Sequence, residues 1–220
     1  MPDPLVLPDY RPTLPALVRR RLGLPLWLTV AVVAALAALA GLAVVLVQPG
    51  RESGEQLVHR GEPTFNLVYE DALRVVEPGP GELARLEGRR GRVAVAVTVS
   101  PLALPSYRGD AAHGLLPAFA SGHIERLRAT EPAFQLREQL RARVHDAPGY
   151  EIAFRSGPRV RRTFARDILL VPAEEQTRDA VILGYRQAVR GAKPLSKADQ
   201  RWTLAARKAL RSFAYGTGRP

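Results

Sequence analysis

Between Leu24 and Val47 the chain runs for 24 residues without a single charge. As a helix rising 1.5 Å per residue, this stretch would be about 36 Å long, enough to cross a hydrocarbon core with some tilt. It has no polar face to offer to water, which argues against an ordinary core helix. The run therefore divides the chain into an N-terminal tail over 1–22, a transmembrane helix over 23–48, a stalk over 49–63 and a single α+β domain over 64–216. Arg19, Arg20 and Arg21 immediately precede the apolar run, and Arg11 lies upstream. Basic flanks stay in the cytoplasm and Trp favours the interface, where Trp27 would sit. The expected arrangement is a single-pass protein of the cell membrane, N-terminus cytoplasmic, domain outside. A cleaved signal peptide is the competing reading, since Ala38-Leu39-Ala40 offers the right small residues. Signal h-regions, however, run ~7–15 residues, and here the apolar character continues to Val47.

The tail carries Pro2, Pro4, Pro8, Pro12 and Pro15, a density that blocks both helix and ladder bonds, so an extended tail is expected. Gln48–Pro63 is polar and rich in Gly and Pro, as a stalk would be. Formal net charge is +11; without the four Arg and two Asp of the tail, 28 basic residues face 19 acidic ones, a net +9 for the rest. That balance favours anionic partners: lipid headgroups, an acidic envelope polymer or an acidic protein. A position outside the cell argues against nucleic acid. There is no cysteine, so disulfides, thiol nucleophiles, Cys-ligated metals and a lipid-modified Cys anchor are all excluded.

Within the domain, Phe65–Tyr69 alternates as a strand and Glu82–Gly88 reads as a second, short one. The clearest strand is Arg92–Ser100, with Val93, Val95, Val97 and Val99 on one face. A helix is expected from about His113 to Thr130, broken by Gly122 and ended by Pro132. Phe134–Val144 fits either a strand or a helix. The strand is preferred because Pro132 and the Asp146-Ala147-Pro148-Gly149 turn bracket it. It would then show Arg137, Arg141 and Arg143 on one face. Three strands follow, Tyr150–Arg155, Arg161–Val171 and Asp179–Ala188, with connections short enough for antiparallel hairpins. Their apolar runs suggest central strands covered on both sides. A last helix from about Lys197 to Tyr215 opens on a capping box, Ser196-Lys197-Ala198-Asp199. It turns Trp202, Ala206, Ala209, Leu210 and Phe213 inward and Arg201, Arg207, Lys208 and Arg211 mostly outward. The fold class is thus α+β: an antiparallel sheet with packed helices, following the transmembrane helix.

Four features in this order carry a family resemblance. They are the opening Phe65-Asn66-Leu67 strand, the Gly149-Tyr150-Glu151-Ile152 strand start, the hairpin around Arg161–Ala188 and the closing Ala209-Leu210-Arg211-Ser212-Phe213. Together they resemble the PsbP-like α/β sandwich domains, over roughly residues 64–216. The resemblance implies a binding or adaptor role more than catalysis, and it carries over no ligand residue. Bacterial members are often tethered through a lipidated Cys; this chain would use its helix.

No P-loop, G-x-S-x-G or G-x-G-x-x-G occurs. His59, His113, His123 and His145 show no i, i+4 or H-x-H spacing, so no metal and no cofactor are expected. Ser106, Asp110 and His113 share one loop, which rarely assembles a triad and an oxyanion hole. Glu174-Glu175 reads as a solvated turn, and Arg108-Gly109-Asp110 as a chance tripeptide. The functional expectation is a membrane-tethered, non-enzymatic binding domain, contacting anionic lipid, acidic polymer or a protein partner. Candidate contacts are Arg137, Arg141, Arg143, Arg159, Arg161 and Arg162. The alternative is a cell-envelope hydrolase with an unrecognised site, built on His113 or His145 and an acidic residue.

Overall fold

Seven antiparallel strands form the main sheet of this computed structural model, which describes residues 54–173 and 177–218. The expected transmembrane segment, the tail with Arg19–Arg21, and Glu174-Glu175 all lie outside these residues. Among the described residues, no helix is long and apolar enough to cross a membrane.

In chain order the strands are β1 (Glu55–His59), β2 (Phe65–Tyr69), β3 (Arg74–Val76), β4 (Ala84–Arg90), β5 (Val93–Pro101), β6 (Gln135–Val144), β7 (Ala147–Ser156), β8 (Arg161–Leu170), β9 (Val181–Arg190) and β10 (Ala214–Tyr215). The helices are α1 (Leu115–Thr130) and α2 (Lys197–Arg211). The large sheet has the order β3-β4-β5-β9-β8-β7-β6, and a small sheet has the order β1-β2-β10. All pairings are antiparallel. The expected α+β class of antiparallel sheet with packed helices holds.

β5 and β9 lie at the centre, as their apolar period-two pattern requires. Val93, Val95, Val97, Val99, Val181, Leu183 and Tyr185 are buried on one face, packed with Phe65, Leu67, Ala206, Ala209, Leu210 and Phe213. That face is covered by α2 and β2. The opposite face carries Ile152, Phe154, Ala165, Leu169 and Val171 beneath α1, whose buried stripe is Leu116, Ala120, Ile124 and Leu127. Leu169 therefore belongs to the α1 side, not to the face under α2. The two helices sit on opposite faces and are offset: α2 packs on β4, β5 and β9, α1 on β7. Each leaves part of its own face open.

Several boundaries differ from the sequence reading, for identifiable reasons. Glu55–His59, inside the expected stalk, pairs with β2 from Glu55↔Tyr69 to His59↔Phe65. Only Leu57 and His59 of this strand are even partly sheltered, so its composition looks like a linker. α1 passes through Gly122 unbroken and ends where Glu131 turns extended ahead of Pro132. The β6–β7 turn is only His145 and Asp146, His145 taking φ 48°, so Ala147, Pro148 and Gly149 belong to β7. α2 stops at Arg211 because Ser212 caps it and its hydroxyl both donates to the Val68 carbonyl and accepts from the Val68 N–H, each at 2.8 Å. The chain then returns as β10 alongside β2. At the start of α2, the Ser196 hydroxyl accepts the Asp199 N–H at 3.1 Å and donates to the Asp199 carboxylate at 2.7 Å, the capping expected from the sequence.

Candidate functional site: a basic groove beside α2

The six arginines singled out from the sequence do not form one patch. β6 is the last strand of the sheet and almost wholly exposed; only Val144 is buried. Its register against β7 shifts between Leu136 and Glu138, leaving Arg137 in a bulge without a partner. Cross-strand partners share a face. Beyond the bulge, Gln139 pairs with Ile152, Arg141 with Tyr150 and Arg143 with Pro148, which places Arg141 and Arg143 on the α1 side. Arg159, Arg161 and Arg162 cluster at the β7–β8 turn, at the opposite end of the strands. The ladder between runs from Gly149↔Leu170 to Ser156↔Thr163, roughly 24 Å. Arg161 and Arg162 further diverge to opposite faces, and Arg162 donates to the Ala192 carbonyl at 3.3 Å.

A different basic constellation is assembled instead. α2 covers β9 but stops short of β8, β7 and β6, so its outer flank and that half of the sheet enclose a groove of about 860 Å³. Arg166 from β8 and Arg201, Arg207, Lys208 and Arg211 from α2 line it. Of the six arginines singled out from the sequence only Arg143, at the end of β6, borders it, followed by His145. Glu151 is the single carboxylate among the described lining residues. Helix spacing explains the α2 contribution. Arg201, Leu204, Lys208 and Arg211 recur at i, i+3, i+7 and i+10, one stripe along the helix. That stripe borders the core stripe of Ala206, Ala209 and Leu210. Glu151 and Arg166 pair at 2.5 Å on the floor. Lys208 reaches Glu70 at 2.5 Å, and Arg207 lies over the Tyr185 ring at 5.3 Å from its centroid. Arg201 and Arg211 have no ion pair among the described residues. A second hollow of about 420 Å³ continues past Arg207 to Arg162, Phe164 and Lys193.

On the α1 side the sheet carries a buried charge cluster that the sequence did not reveal. Asp167 is 2% exposed. Its carboxylate accepts from His123 Nε2 at 2.9 Å and from Arg186 Nη2 at 3.2 Å, with a further bond from Arg186 Nη1. The Arg186 guanidinium stacks over Phe154, 5.0 Å from the ring centroid. Burial alone would raise the Asp167 pKa. The His123 hydrogen bond and the Arg186 charge outweigh it and hold the carboxyl below its ordinary value. No nucleophile shares this cluster among the described contacts, and its role is to tie α1 to β8 and β9.

Of the residues considered for hydrolysis, His113 meets an acid but not Ser106. Asp110 and His113 pair at 2.6 Å in an exposed loop, with Asp110 also accepting the His113 N–H. The hydrogen bonds from His113 hold the Asp110 carboxyl below its usual range. Ser106 makes no bond to this pair; His145 stands in the β6–β7 turn, where it borders the α2 groove that Glu151 also lines, the Glu151 carboxylate being paired with Arg166. Among the described residues, no group of three or more His, Asp or Glu could hold a metal ion.

The domain is thus an antiparallel α+β sandwich with an open basic groove, and solved proteins of similar fold exist. A cyanobacterial PsbP from Synechocystis sp. PCC 6803 matches with a TM-score of 0.47 and 12% identity, covering 77% of this chain and 96% of that one. LpqN of Mycobacterium tuberculosis, described as involved in cell envelope biogenesis, matches with a TM-score of 0.47 and 14% identity, covering 76% and 93%. A Pseudomonas aeruginosa protein of unknown function matches with a TM-score of 0.40 and 14% identity, covering 76% and 99%. No protein-family model and no curated protein matches the chain. A PsbP, the family whose resemblance the residues carry, is among these matches. The matches assign no residue a role.

Proposed function

We propose that this is a membrane-tethered binding domain whose partner is anionic and docks in the groove beside α2. One observation carries the reading: six basic residues from three elements, β6, β8 and α2, line a groove whose one carboxylate among the described residues, Glu151, is already paired. A basic residue near an anionic surface contributes about 1 kcal/mol, so Arg201 and Arg211 alone would bind only weakly and the other basic residues of the groove must share in the contact. The same reading keeps Leu24–Val47 as the anchor and the domain outside the cytoplasm.

Two experiments test it. The chain held in neutral phosphatidylcholine nanodiscs should bind phosphatidylglycerol vesicles or inorganic polyphosphate at low salt. Binding should fall as the screening length drops from about 10 Å at 0.1 M to about 3 Å at 1 M. Replacing Arg201 and Arg211 with Gln should weaken it more than replacing Arg137 and Arg141. Salt-insensitive binding, or failure of vesicles, polyphosphate and an acidic peptide alike, would overturn the anionic-partner reading. For topology, a reporter fused after Pro220 should be active only if it works outside the cytoplasm. Activity of a cytoplasm-only reporter at that position would overturn the orientation that Arg19, Arg20 and Arg21 imply.

A further inference from the structure

Resting on that reading, we infer that the occupant of the α2 groove is an acidic polypeptide segment that also carries apolar side chains. Charge complementarity supplies the acidic half. Arg201 and Arg211 stand without an ion pair among the described residues, and Arg166 and Arg207 line the groove with them. The apolar half comes from the same surface. Leu204, between Arg201 and Lys208 on the stripe, is 58% exposed, and Leu140 and Phe164 on the sheet side are each 38% exposed. Leu140 pairs with Glu151 and Phe164 with Arg155, so both face the α2 side. Leu204 thus stands among the cations of the groove itself, Phe164 lines the hollow that shares Arg207 with it, and Leu140 lies on the same face of the sheet.

Shape selects among anionic partners. A bilayer surface is flat and would meet only the rim, leaving Arg166 and Arg207 out of reach. A polyphosphate or polysaccharide chain offers nothing to Leu204 and Phe164. A peptide fits both needs, because carboxylates accept paired hydrogen bonds from guanidinium forks while neighbouring side chains bury against Leu204. From Arg201 to Arg211 the rim is about 15 Å long at 1.5 Å per residue. That length takes an extended segment of about four to five residues at ~3.3 Å each, and the hollow toward Phe164 lengthens the track.

The test uses the full chain in neutral nanodiscs. The probe is a fluorescein-labelled peptide of about twelve residues, repeating Asp-Glu-Leu-Glu, read by fluorescence anisotropy at low salt, where charge pairs are least screened. Saturable binding is expected. Arg201→Glu with Arg211→Glu should weaken it about tenfold, Leu204→Ser about fivefold, and a peptide with Ser in place of Leu by a similar factor. All three positions are exposed, so the fold does not depend on them. Arg159→Glu, at the far turn, should leave binding unchanged. Equal affinity of the groove variants and the wild type would overturn the groove as the site. Binding of phosphatidylglycerol vesicles without binding of the peptide would overturn the polypeptide occupant and leave the anionic-partner reading standing. Failure of peptide, vesicles and polyphosphate together would overturn both.

Discussion

Replacing Phe213 with Ala is expected to destabilise the domain by roughly 3–5 kcal/mol, the usual cost of deleting a large aromatic from a packed core. Phe213 is fully buried. Its ring stacks on Phe65 with centroids 5.5 Å apart and meets the edge of Tyr215 at 5.2 Å. These contacts join three parts of the molecule: the end of α2, the central strand of the small sheet and β10. Phe65 in turn stacks on His59 of β1 at 4.8 Å. Aromatic pairs contribute about 0.5–1.5 kcal/mol beyond the area they bury, so Phe213→Leu should recover most of the loss but not all. Urea unfolding of the three proteins measures this. A loss below about 1 kcal/mol for Phe213→Ala would mean that the end of α2 and the small sheet are peripheral to the cooperative unit.

Where two faces of an element meet different environments, the sequence states its structure openly. β5 alternates Val with Ala or Thr because one face meets α2 and β2 while the other is partly open. α2 declares both its cap and its inward stripe. β1 and β6 were harder to read, one taken as a stalk and the other ambiguous between strand and helix. Both are edge strands, held by backbone ladders to one neighbour, and edges are kept polar or charged so that they do not recruit another chain. A one-residue bulge then separates Arg137 from Arg141 and Arg143, which keep the shared face their spacing implies. The α2 groove escaped notice for a related reason. Outward charges on an amphipathic helix look solvated in one dimension, and only the β9–β8–β7–β6 order shows that uncovered sheet lies beside them. The Asp167 cluster gathers residues from α1, β8 and β9 that are 44 and 19 positions apart in sequence. Its one local trace is a lone acid leading the apolar run Ile168-Leu169-Leu170-Val171, in a strand otherwise built for burial.

That lone acid is also the position at which a change of charge should matter most. Asp167→Ala leaves the Arg186 guanidinium and the His123 ring on the sheet without their shared acceptor. Removing one partner of a buried pair typically costs about 3–5 kcal/mol, because the remaining charge is left uncompensated. Arg186 is partly accessible, so the lower part of that range is expected here. Asp167→Asn keeps the volume and removes the charge, which makes it the sharper probe of pH dependence. In the folded protein the Asp167 carboxyl titrates below its ordinary value, because the His123 bond and the Arg186 charge prevail over burial. The unfolded chain therefore binds this proton more readily than the folded one between the two pKa values, and stability rises with pH across that interval. The contribution is complete above the unfolded Asp value of about 3.9 and is lost as pH falls through the lowered folded value. Urea midpoints of wild type and Asp167→Asn, compared from neutral pH downward, should differ by a constant amount until about pH 4 and then converge. A gap that stayed constant into strong acid would show that Asp167 acts through shape and packing, with no part played by its charge.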